Sequence, residues 1–191
     1  MIAWEELDNQ RFSRQFTAPL VSRLVGPPSA GTSVLSVGCG VGADVETLWK
    51  MGFDAHGVEP GYRSDAWSTR ECPDRLHSAL GQELPFEDGE FDAAVSFGVI
   101  EHVGAIGDSV EVRPDVWEQR QSFAREVSRV VRPGGAIVMS TPNRLFPIDF
   151  FHATDRFGLR WHSPSEAFSV SYGDMSRLFV EHAGCTSIRP L

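Results

Sequence analysis

The chain has 191 residues, 41% of them hydrophobic and 23% charged, which fits one globular domain with a real core and leaves little room for a second complete one. Its formal net charge of -9 argues against a broad basic surface for tracking phosphates, because nonspecific nucleic-acid affinity comes mainly from Lys and Arg. Lys50 is the single lysine, so any lysine-dependent chemistry has one candidate.

The start, Met1 to Asp8, is acidic and lacks a basic segment followed by an apolar run, so no signal peptide is predicted. No apolar stretch approaches the roughly 20 residues that a membrane-spanning helix needs, and a cytoplasmic setting is expected. Cys39, Cys72 and Cys185 form an odd, widely spaced set without a CxxC pair, which argues against both a zinc site and a disulfide framework.

In chain order, Trp4, Leu7, Phe12, Phe16, Leu20 and Leu24 recur every three to five residues and predict one helix or two short ones, ended by Gly26-Pro27-Pro28. Ser33 to Val37 reads as a strand that breaks into glycines and resumes as a helix through Val45, Leu48, Trp49 and Met51. Phe53 to Val58 is a second strand, Tyr62 to Thr69 a helix, Arg75 to Leu80 a short third strand, and Phe91 to Phe97 a buried fourth. Val116 to Val131 follows a helical period until Arg132-Pro133-Gly134-Gly135 stops it before the strand Ala136 to Ser140. Thr141 to Ser171 is irregular and rich in Pro, His and aromatics. A helix over Asp174 to His182 and a last strand over Thr186 to Leu191 complete the reading.

This alternation predicts an α/β fold: a Rossmann-like, doubly wound, mostly parallel sheet with helices on both faces. One domain spans 1–191. Its parts are an N-terminal helical cap (1–30), a cofactor-binding βαβ core (31–141), an irregular substrate-side segment (142–172), and the last helix with a terminal strand (173–191).

Gly38, Gly40 and Gly42 allow a sharp turn, backbone approach to a ligand, and close packing at a helix start whose amides favour a negative group. Glu59 ends the second strand about 20 residues on, where a carboxylate can accept both hydroxyl hydrogen bonds of a ribose. The same pattern satisfies the GxGxxA fingerprint of dinucleotide-binding proteins.

The run Val34 to Gly42, Gly57-Val58-Glu59-Pro60, Leu84-Pro85-Phe86, Phe91-Asp92, Glu101-His102 and Arg132 to Gly135 occur in an order that resembles class I S-adenosylmethionine-dependent methyltransferases. The likeness is to the small-molecule group that includes the ubiquinone-biosynthesis-like O-methyltransferases, and Ser140-Thr141-Pro142-Asn143-Arg144 strengthens it. The resemblance implies that Gly38, Gly40 and Gly42, with Cys39 as a small filler, border the methionine part of S-adenosyl-L-methionine. It implies that Glu59 holds the ribose, that Gly81 and Gln82, with Leu84 next to them, touch adenine, and that Ser96, Phe97 and Val99 floor the sulfonium region. This group usually carries an acid where Ser36 stands, and often one at Leu80. Its final antiparallel hairpin is expected to be incomplete here, because seven residues follow Gly184, and the open sheet edge makes a homodimer an expectation.

Methyl transfer from a sulfonium is an in-line displacement that needs alignment and water exclusion more than a protein nucleophile. A hydroxyl acceptor must still lose its proton, and His102 is the candidate base, with Glu101 beside it. A divalent cation on Glu101 and His102 would draw further ligands from the region of His152, Asp155 or His162; the expectation is no metal. Phe12, Phe16 and Trp4 are candidates for a lid. The rival readings are a subunit that binds S-adenosylmethionine without turnover and, less favoured, an NAD-dependent oxidoreductase. A nucleic-acid acceptor is disfavoured because Ser96 to Val99 lacks a Pro-Pro-aromatic motif.

Overall fold

A computed structural model describes residues 9–28, 31–61, 63–107, 109–150, 152 and 159–190. A π-helical turn, Ser13–Thr17, runs into helix α1, Ala18–Val25. Strand β1, Ser33–Val37, leads through the glycine loop to α2, Ala43–Met51, and then to β2, Asp54–Glu59. A 3-10 segment, Ser64–Thr69, stands where the sequence predicts a helix beginning at Tyr62, a residue outside the described set. After it come β3, Leu76–Ser78, β4, Phe91–Phe97, α3, Val116–Val130, and β5, Val131–Ser140. The short strands β6, Ile148–Asp149, and β7, Arg160–Trp161, are followed by α4, Tyr172–Ser176, which passes into a π-helical stretch, Arg177–His182.

The main sheet has the order β3-β2-β1-β4-β5, with every pairing parallel. Chain order reverses between β1 and β4, so the loops at their C-terminal ends flank the crevice where open α/β sheets receive ligands. Strand residues alternate between two cores because successive side chains point to opposite faces. Val34, Val95 and Val138 join α1 and α2 through Val21, Val45 and Leu48. Leu35, Val37 and Ala94 join α3 and the last helical segment through Phe123, Val127, Leu178 and Phe179.

Three sequence expectations need adjustment. Arg132-Pro133-Gly134-Gly135 is a bulge within β5 and not a separator, since Val131 already pairs with Phe91 and regular register resumes at Ala136 opposite Ala93. Asp92 holds the bulge, accepting from Arg132 Nε at 2.5 Å and from the Ser33 amide at 2.8 Å. The irregular segment contains the antiparallel pair β6 and β7, which no periodicity announced.

The third is the strand expected over Thr186 to Leu191: positions 186–190 form none, and Leu191 lies outside the described residues. Ile188 instead packs on the α3 core, and its carbonyl accepts from the Tyr172 hydroxyl at 3.0 Å. Pro190 offers no amide to a ladder.

Candidate functional site

The glycine loop leaves β1 at the crevice. The amides of Gly38 and Cys39 both donate to the Val58 carbonyl, at 2.8 and 3.0 Å. Gly38 has φ +78°, and a Cβ there would stand 2.3 Å from Val99 Cγ2, so the loop from β4 closes directly over this glycine. Above Gly40 the space is open, since a Cβ would meet only Arg63 Cδ at 3.6 Å. The loop is braced from behind: Trp67 Nε1 donates to the Gly40 carbonyl at 2.9 Å and Arg70 Nε to the Val41 carbonyl at 2.7 Å. A ligand therefore meets a preformed backbone cradle at the start of α2.

Glu59 lies across this cradle, where its Oε2 accepts from the Gly40 amide at 3.3 Å. Burial raises its carboxyl above the usual range, opposed by that amide and by Arg63. Burial also pushes the Cys39 thiol well up, so the loop cysteine is no ready thiolate. Ser36 is buried, and its hydroxyl donates to the Asp44 carboxylate. Asp44, in the first turn of α2, also accepts from the Val45 amide at 2.8 Å, and burial raises its carboxyl.

On the other side of the crevice the chain leaves β4 through Gly98 and Val99 into a turn carrying Glu101 and His102. Glu101 is 1% exposed and His102 is exposed. Burial raises the Glu101 carboxyl, opposed by its own backbone amide and by Thr141. Thr141 is close enough to favour the carboxylate, but Glu101 Oε2 and Thr141 Oγ1 make no hydrogen bond of regular geometry among the described residues. His152 arrives from beyond β6 and sets its Nε2 3.0 Å from His102 Nε2. One donor atom each of Glu101, His102 and His152 lies within 4.8 Å of the others, near enough to share a proton or a cation.

The family described as a methyltransferase domain matches residues 35–139, more than half of the 191 residues. The chain belongs to the class I methyltransferases. A probable S-adenosylmethionine-dependent methyltransferase of Mycolicibacterium smegmatis is 33% identical over 135 residues, covering 66% of this chain and 47% of that protein. The ubiquinone biosynthesis O-methyltransferase of Azorhizobium caulinodans is 27% identical over 122 residues, covering 61% and 43%. The chain thus spans about half the length, or less, of these curated relatives. The crystal structure of Burkholderia thailandensis 1,6-didemethyltoxoflavin-N1-methyltransferase, with 1,6-didemethyltoxoflavin and S-adenosylhomocysteine bound, superimposes with a TM-score of 0.60 at 16% identity, covering 89% of this chain and 66% of that one; it supports the fold.

Around the crevice of this methyltransferase, Gly38, Cys39, Gly40, Gly42, Glu59 and Val99 come together. Ser96 is buried on β4. Phe97 carries Phe12 and Phe16 on its ring at centroid distances of 5.6 and 5.7 Å, and both of those remain more than 40% exposed. Gly81 packs against Phe123, Gln82 Nε2 donates to Gln119 at 3.3 Å, and Leu84 is buried in the α3 core with its amide held by Glu126. Leu80 is exposed. His162 stays apart from His102 and faces Glu166, at 3.9 Å. Trp4 and Asp155 lie outside the described residues.

Sequence reasoning missed Asp44, Asp149 and Arg120. Arg120 is 3% exposed and donates to five backbone carbonyls: Ile100, Glu101 and Val103 of the site turn, and Ala167 and Phe168 of a later segment. Burial pushes its guanidinium down to about 10. A signal existed: Arg120 lies three, four and seven residues before Phe123, Ala124 and Val127, on the buried stripe of α3. No helix among the described residues is long and apolar enough to cross a membrane.

Proposed function

We propose that the chain is the S-adenosyl-L-methionine-binding and methyl-transferring unit of a protein that acts on a small hydroxylated molecule. One observation carries the reading: Glu59 turned across an open, glycine-lined cradle at the switch point of the sheet. A carboxylate so placed accepts from a ribose diol, while amides at the start of α2 and the open face of Gly40 receive the rest of the cofactor. The names of the two relatives support the cofactor and, in one case, an oxygen acceptor, and the bound S-adenosylhomocysteine in the Burkholderia enzyme supports the same class of ligand.

In this reading, Gly38, Cys39, Gly40 and Gly42 border the methionine portion, Val99 and the end of β4 wall the sulfonium, and Phe12 and Phe16 form an apolar lid over Phe97. Residues 142–172 supply the acceptor's side of the pocket. His102 receives the acceptor's proton. The cofactor supplies an activated methyl group, and the protein aligns it and excludes water.

Calorimetric titration with S-adenosylhomocysteine and, separately, NAD tests the cofactor class. Binding of the first ligand alone, lost in Glu59→Ala, is expected. Binding of NAD alone overturns the reading. Scintillation counting of labelled methyl groups transferred to phenol, catechol and sugar panels then tests turnover.

A further inference from the structure

The edge strand β3 pairs with β2 over three residues, Leu76, His77 and Ser78 opposite Gly57, Val58 and Glu59. A row of side chains reinforces this short ladder. Arg75, at the end of the 3-10 turn Pro73–Arg75, sets Nη1 against the Asp54 carboxylate and 2.8 Å from His56 Nε2. His56 Nδ1 lies 3.1 Å from His77 Nε2, with the two rings 18° from parallel. Phe86 stands edge-on to both imidazoles, at 6.0 and 5.1 Å, and Phe91 stands edge-on to His56 at 6.0 Å. Both histidines are half-buried.

Hydrogen-bond direction along the row follows from Arg75. A guanidinium keeps its protons and offers no acceptor, so it donates to His56, and His56 Nε2 must hold a lone pair. The proton of that neutral ring sits on Nδ1 and is donated to His77 Nε2, which accepts. A further proton on either ring has no place in this row. On His56 it would set N–H against N–H at 2.8 Å. On His77 Nε2 it would face the His56 Nδ1–H at 3.1 Å, and His56 cannot yield by changing tautomer, because an Nε2–H would face Arg75. The charged groups around the pair are Asp54 from β2, Asp74 and Arg75 from the 3-10 turn, and Glu90 from the loop before β4. The three carboxylates favour charged rings. Burial first, then Arg75 at His56 and His56 at His77, outweigh them and hold both rings below the ordinary histidine value.

We infer that His56 and His77 form an acid-sensitive clasp on β3, closed while both rings are neutral and opened when either takes a proton. Opening frees the edge strand and what lies beyond it. The Ala79 amide donates to the Glu59 carbonyl at 3.2 Å just past the end of β3, and Leu80, Gly81 and Gln82 follow. The proposed function seats ribose at Glu59 and adenine at Gly81 and Gln82, so loss of cofactor affinity is the output of the clasp and rests on that reading. Because the closed state binds these protons less tightly than the open or unfolded chain does, its stability is complete above the ordinary histidine value. It is lost as pH falls through that value towards the lowered one of the closed state.

Hydrogen exchange of the full chain at about pH 7.5 and about pH 5.5, on either side of the ordinary histidine value, reads the clasp without any ligand once rates are converted to protection factors. Protection at residues 76–79 is expected to drop about tenfold or more, the change that one pKa unit carries, while the β1 and β4 amides hold theirs. In His77→Gln, whose side-chain oxygen still accepts from His56 and takes no proton, the drop is expected to be smaller. Long-range 1H–15N NMR of the unaltered chain, labelled at histidine, is expected to show His56 protonated at Nδ1 alone at neutral pH. Protonation of His56 at Nε2 under those conditions, unchanged protection of β3 in acid, or an equal drop in His77→Gln overturns the inference. Affinity for S-adenosylhomocysteine, measured at the same two pH values, is expected to fall more in the unaltered chain than in His77→Gln. Failure to bind it at either pH would sink the functional reading and leave the exchange pattern as it is, so the two failures are distinguishable.

Discussion

The hydroxyl of Ser36 donates to the carboxylate of Asp44, so the end of the first strand is tied to the first turn of the following helix across the glycine loop that joins them. The two residues stand eight apart in sequence and bracket the glycine loop. On the proposed reading, Asp44→Asn weakens binding of S-adenosylhomocysteine about tenfold, or about 1.4 kcal/mol, and Ser36→Ala, which removes only a donor to Asp44, weakens it less. Calorimetry on both variants checks the order; equal affinity in Asp44→Asn and the parent chain would remove Asp44 from the site.

The same carboxylate makes a pH prediction. Burial raises both Asp44 and Glu59 above the ordinary carboxylate range, so each gains its proton earlier on acidification than an exposed acid does. A ligand that needs them as anions should therefore lose affinity as pH falls, starting above the usual carboxylate range. Titrations at stepped pH should show this limb in the parent chain and a reduced one in Asp44→Asn.

Gly38 meets two separate obstacles to a side chain, its φ of +78° and the 2.3 Å approach of a Cβ to Val99. Gly38→Ala should cost roughly 2–4 kcal/mol in denaturant unfolding, from strain at positive φ and overpacking together. Adding Val99→Ala should recover the overpacking part only. Full recovery would mean that backbone conformation contributes nothing there.

Arg120 ties the turn of Glu101 and His102 to Ala167 and Phe168 through five carbonyls. Arg120→Met leaves those acceptors without their donor in a buried setting and should cost roughly 3 kcal/mol or more. Hydrogen exchange should rise selectively at 100–105 and 167–170, with the β1 and β2 amides little affected. Uniform acceleration across the sheet would contradict a local clamp.

Glu101 is held above the usual carboxylate range by burial, so the folded chain binds this proton more tightly than the unfolded chain does. Its stabilising influence is complete below the unfolded value and is lost as pH rises through the folded one. Glu101→Gln carries no such charge and should be more stable than the parent chain at neutral pH, with the advantage vanishing in acid. Thermal unfolding across pH measures it. A less stable variant at neutral pH would show that the carboxylate is stabilising in place.

What the sequence determined by itself was everything set by short-range periodicity and chain direction. β1 and β4 fall on the predicted residues, α3 ends within one residue of its predicted end, and the glycine loop and Glu59 meet at the crevice as their 20-residue spacing required. Alternation within strands and a 3.6-residue stripe on helices are local properties of the backbone, so they can be read without knowing the fold. Tertiary structure alone decided the rest. His152 reaches His102 across 50 residues through a two-residue strand pair with no periodicity to announce it. Arg120 finds carbonyls from two distant segments, and the buried Ser36 hydroxyl finds the Asp44 carboxylate on the far side of the glycine loop. These groups are brought together by long-range packing, in which a buried polar atom takes whatever partner the fold carries within 3 Å or so, and no neighbour in sequence records which partner that will be.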